Sequence, residues 1–95
     1  MPSATPILYR KRVFGDGAIL EMKLWQVPGS VRGSAHEFKY SLLYGRGGEQ
    51  LIGYDNEARK GDLRHYRDRE ELYRFTTPKQ LAADFLTDVR SMRSD

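Results

Sequence analysis

From Leu20 to Leu24 the chain alternates: Leu20, Met22 and Leu24 are apolar with Glu21 and Lys23 between them, and Ala18 extends the apolar set past Ile19. A period of two places the apolar set on one face of an extended strand and the charged set on the other. A half-buried strand of this kind needs pairing strands beside it and a layer against its apolar face. The turns show how the sheet is built. Gly15-Asp16-Gly17 precedes the run and Gly45-Arg46-Gly47-Gly48 lies further on, and glycines that accept positive φ in such short links join antiparallel hairpins.

Other segments extend the pattern. Ile7–Phe14 is rich in β-formers and carries Arg10-Lys11-Arg12 at its centre. Trp25 and Val27 fall on the charged side of the second strand, so its far end is expected to meet something apolar. The stretch 28–34, with two glycines and a proline, reads as a loop. A third strand runs from Glu37 to Tyr44, with Phe38, Tyr40, Leu42 and Tyr44 on one face, and Gln50–Asp55 gives a fourth. Gly53 inside it marks a bulge or a close backbone approach. Residues 56–70 are charged with few apolar anchors and read as a long loop, followed by a short edge strand at Leu72–Phe75.

One helix closes the chain. Thr77 is an N-cap, Pro78 suits the first helical position, and Gln80 completes a capping box. Leu81, Phe85, Val89 and Met92 then recur on one face. The expected fold is α+β: an antiparallel meander of four to five strands over 7–76, covered on its Leu20/Met22/Leu24 side by a helix over 77–93, with 1–6 a frayed terminus. A length of 95 residues supports one domain, 1–95.

Composition removes several functions. With no cysteine, disulfides, thiolate zinc sites and cysteine nucleophiles are excluded. His36 and His65 belong to no HxH or HxxxH pair, so no metal and no other cofactor is expected. No apolar run reaches the ~20 residues of a membrane span, and the start has no signal-peptide pattern, which leads to a cytoplasmic expectation. A formal net charge of +3 permits an acidic or polyanionic partner without requiring one.

Polar chemistry gathers between Tyr54 and Tyr66. His65 is a candidate for proton transfer at a phosphodiester, with Arg59, Lys60 and Arg64 as phosphate-holding cations and Asp55 orienting a neighbour. The alternative is a surface histidine in a solvated segment. Arg10 and Arg12 share one strand face, suited either to phosphates or to charging an edge against aggregation. Phe38, Tyr40 and Tyr44 read as core rather than as a base-stacking platform.

The run from Gly53 to Tyr66, Gly-Tyr-Asp-Asn-Glu-Ala-Arg-Lys-Gly-Asp-Leu-Arg-His-Tyr, resembles the signature of the TumE family of toxins from prokaryotic toxin–antitoxin modules. The similarity extends through Asp16-Gly17-Ala18, Met22, Leu24-Trp25, Tyr40-Ser41-Leu42, Tyr44-Gly45-Arg46, Tyr73-Arg74-Phe75 and the helix to Arg90. Tyr54, Asp55, Asn56, Gly61 and His65 carry its specific centre. Leu63 stands where family members often have a second histidine, which counts against a histidine-pair mechanism and against metal ligation there. The resemblance implies a separately encoded helix-turn-helix antitoxin as partner. By analogy with other small toxins, the expected target is RNA. The expectation is therefore a toxin that binds or cleaves RNA as a metal-independent ribonuclease around Asp55 and His65. Its rival is a non-enzymatic module that docks a partner protein or nucleic acid, and a homodimer is compatible with either.

Overall fold

A computed structural model describes residues 4–27, 36–57 and 60–93. Six strands follow in chain order: β1 (Thr5–Val13), β2 (Ile19–Gln26), β3 (Phe38–Arg46), β4 (Glu49–Glu57), β5 (Gly61–Tyr66) and β6 (Arg69–Leu72). They form one antiparallel sheet in that same order, and helix α1 (Pro78–Arg93) covers one face. The α+β meander with a C-terminal helix is as expected, with six strands instead of four to five.

The added strands correct the reading of 56–70. That stretch is the end of β4, all of β5, a two-residue turn at Arg67-Asp68 and the start of β6. Hydropathy hid it because its inward positions are Asn56, Asp62 and Arg64, polar side chains that find partners inside the fold. The short strand expected at Leu72–Phe75 ends where it was expected to begin, and residues 73–77 form the extended link to α1. At the other terminus β1 already starts at Thr5, while 1–3 and the loop at 28–34 lie outside the described residues. The bulge foreseen at Gly53 sits instead at Tyr44/Gly45. A Cβ on Gly45 would strike the Glu49 carbonyl, whereas one on Gly53 would meet only the movable Gln50 side chain.

The core lies between the sheet and α1. Leu20, Met22, Leu24, Tyr40, Leu42, Tyr44, Ile52 and Tyr54 point inward from β2–β4, against Leu81, Phe85 and Val89 of the helix. Each such fully buried side chain contributes roughly 1.5–3 kcal/mol by leaving water. The N-cap forms as its sequence predicts: the Gln80 amide donates to Thr77 Oγ1 at 3.0 Å. No described helix or strand packs on the other face of the sheet. Among the described residues no helix is long and apolar enough to cross a membrane.

Candidate functional site

The family-like segment splits between the two faces of the sheet. On the helix side, Asn56 is fully buried, its Oδ1 accepting the Tyr40 N–H (3.0 Å) and its Nδ2 donating to the Phe38 carbonyl (2.6 Å). Gly61 closes the β4–β5 turn at φ +79°, a conformation that favours glycine. Both signature residues therefore have a structural task.

Beside them, Arg64 Nε donates to Asp88 Oδ2 (2.8 Å) and to the Tyr54 hydroxyl (2.9 Å), and Arg64 Nη1 donates to Glu71. Tyr54 in turn donates to Asp88 Oδ2 at 2.5 Å, and Tyr73 donates to Asp84 Oδ2 at 2.5 Å. Asp88 is the main group holding Arg64 in its charged form. The guanidinium is thus spent inside the fold, as a clamp between β5 and α1.

Three phenols in this region hold their protons well beyond the ordinary value of 10.0. Burial is the main cause for Tyr40, Tyr54 and Tyr73, reinforced by Asp62, Asp88 and Asp84 respectively. Unfolded tyrosines ionise near pH 10, so above it the unfolded chain binds fewer protons and folding stability falls as pH rises. The expected result is cooperative alkaline unfolding that starts near pH 10. Tyrosinate absorbance of these three should appear together with loss of circular dichroism, and their titration without unfolding would contradict the packing.

A second helix-side cluster was not foreseen. His36 Nε2 lies 2.7 Å from Asp62 Oδ2, which also accepts the Tyr40 hydroxyl at 2.6 Å. The Phe38 N–H donates to His36 Nδ1 (3.2 Å), so the hydrogen-bond pattern places the ring proton on Nε2. The imidazole stacks on Phe75 with centroids 3.9 Å apart. With both nitrogens engaged, His36 holds β3, β5 and the β6–α1 link together. Nothing in its local sequence marks it, because Asp62 is distant in the chain and only the register brings them together.

His65 faces the other way, on the open side of the sheet. Its Nε2 is 3.7 Å from Glu70 Oε1, and Gly53 opposite it on β4 has no side chain of its own, the Gln50 carboxamide lying over it. Asp55, paired across strands with Ser41 and Leu63, shares this face. Asp55 and His65 are therefore brought near each other, but Arg64 is on the opposite side of the sheet. Lys60 sits exposed in the β4–β5 turn, and Arg59 lies outside the described residues.

Arg10 and Arg12 stand far from that segment. They oppose Met22 and Leu20 on the helix side, at the sheet edge. There they line a groove of about 490 Å³ with Phe14, Leu20, Leu86, Val89, Arg90 and Arg93. The guanidinium carbons of Arg12 and Arg93 lie 4.5 and 3.8 Å from the Phe14 ring centroid, which orients both. Arg93 also donates to the Tyr44 hydroxyl (2.9 Å) and to Asp16 (3.3 Å), and Asp16 accepts from Arg46 as well. The Ala18 amide, and then these arginines, keep the Asp16 carboxyl below its usual range. The groove thus combines an apolar floor with four arginine side chains and one acidic neighbour. Its helical half, Arg90 and Arg93, escaped the sequence reading although a spacing of three in the last turn puts both on one flank.

No curated protein and no solved structure matches the chain. A family model described as Toxin TumE matches residues 3–93, nearly the whole length. The chain belongs to the TumE family, toxins of toxin–antitoxin systems.

Proposed function

We propose that this toxin acts by binding RNA, with phosphates held in the groove between β1 and α1. One observation carries the reading: Arg10 and Arg12 from the sheet meet Arg90 and Arg93 from the helix around a floor of Phe14, Leu20, Leu86 and Val89. Guanidinium forks match phosphate oxygens in pairs, and an apolar floor accommodates sugar and base surface. Phe14 limits the motion of two of the four forks before any ligand arrives. The antitoxin, a helix-turn-helix protein on the family resemblance, then silences the toxin by denying RNA this groove.

The test is fluorescence anisotropy with a labelled single-stranded RNA at rising salt. Binding that weakens log-linearly with salt is expected. No binding even at low salt would overturn the proposal.

Acid–base cleavage at His65 is the second reading, favoured by the shared face of His65, Asp55 and Glu70. The same RNA segment does not reach both sites: β1 and β5 are four strand steps apart, roughly 19 Å, and the groove and His65 are on opposite faces. His65→Ala is therefore expected to leave RNA affinity and growth arrest unchanged. Intact RNA binding with arrest lost and RNA ends no longer produced would transfer the mechanism to His65.

A further inference from the structure

We propose that the outer edge of β1 accepts an extended segment of the antitoxin, alternating acidic and apolar residues, as a seventh strand. Eight of the nine residues of β1 pair with β2 on one side, Ile7 being skipped at a register shift, none pairs with another described strand, and every side chain but Leu8 is exposed. An edge of this length offers a row of backbone donors and acceptors to an incoming strand. The opposite edge is a poorer template, since β6 has four residues and three of them, Arg69, Glu70 and Glu71, are charged.

The two faces of β1 specify what pairs with it. Arg10 and Arg12 point to the helix side. On the open side Tyr9 and Val13 are 64% and 65% exposed, with Lys11 between them. A partner strand therefore gains most by setting carboxylates beside Arg10 and Arg12 and apolar side chains beside Tyr9 and Val13. A second copy of this chain does not meet the requirement. β1 itself carries no carboxylate, and two β1 edges paired antiparallel about their centre at Tyr9 would set only Leu8 and Pro6 beside Arg10 and Arg12.

Carboxylates placed there also occupy the positions of two groove arginines, so docking excludes RNA. This exclusion rests on the groove being the RNA site, whereas the docking does not. The probe is a short synthetic peptide of alternating Glu and Val added to the full chain. Its control has the same composition with the glutamates and valines in separate blocks. The alternating peptide is expected to slow amide hydrogen exchange along β1 and to bind about tenfold or more tighter than the control, the difference of one charge-assisted contact. Arg10→Glu with Arg12→Glu is expected to abolish that preference.

Equal affinity for the two peptides, or protection that spares β1, would overturn the proposal. Protection of β1 in a chain that binds no RNA would sustain the docking and remove the RNA reading. RNA binding without β1 protection would do the reverse.

Discussion

Asn56→Ala is expected to destabilise the fold by about 2–6 kcal/mol, a large part of the ~5–15 kcal/mol available to a small domain. The reason is local. Backbone pairing between β3 and β4 runs from Arg46↔Glu49 to Ser41↔Asp55, and beyond it the Asn56 carboxamide takes the place of a backbone unit. It satisfies the Tyr40 N–H and the Phe38 carbonyl at a position with no exposure to water. Truncation leaves one donor and one acceptor buried without a partner, at about 1–3 kcal/mol each. Asn56→Asp should be at least as severe, because it replaces the donor facing Phe38 with an acceptor. Urea unfolding followed by circular dichroism measures both. A loss below about 1 kcal/mol for the alanine variant would mean that water reaches these groups.

The same residue shows why the sequence was only partly legible. The strands over 18–24 and 37–44 were read correctly because their inward positions are apolar and their period is two. The helix was equally plain, since capping residues and an apolar face agree. Residues 56–70 failed on both counts. Their inward positions are polar, and what makes them strand-like is the partners they meet: Asn56 with Tyr40 and Phe38, Asp62 with Tyr40 and His36, Arg64 with Asp88. Those partners are supplied by tertiary structure, which no local pattern encodes.

The candidate site divides in the same way. His65 and Asp55 were grouped because they are close in sequence, and one face of the sheet does hold both. Arg64 is adjacent to His65 in the chain yet belongs to the other face, because neighbours in a strand point in opposite directions. Arg10 and Arg12 were visible as a pair, but only the path of α1 over the sheet adds Arg90 and Arg93 to them. Charge spacing in one element reveals half of a groove. The other half comes from how two elements pack.

Reversing charge at Arg12 and Arg90 together is expected to lower RNA affinity about 100-fold or more at low salt, and to abolish growth arrest on expression. Each side chain offers a charge-assisted fork, and the loss of one such contact is roughly tenfold. Every phosphate contact removed should also reduce the slope of log affinity against log salt by about 0.7 for a single strand. Arg12 and Arg90 suit the test because both are exposed and neither makes the buried bonds that tie Arg93 to Tyr44 or Arg64 to Asp88. Stability should change by no more than about 1 kcal/mol for each, Arg12 losing its contact with the Phe14 ring. Arg12→Lys with Arg90→Lys separates charge from geometry. It should preserve the salt slope while weakening affinity, since lysine keeps the charge but loses the fork. A folded double Glu variant that still binds RNA and still arrests growth would show that the groove is not where this toxin meets its target.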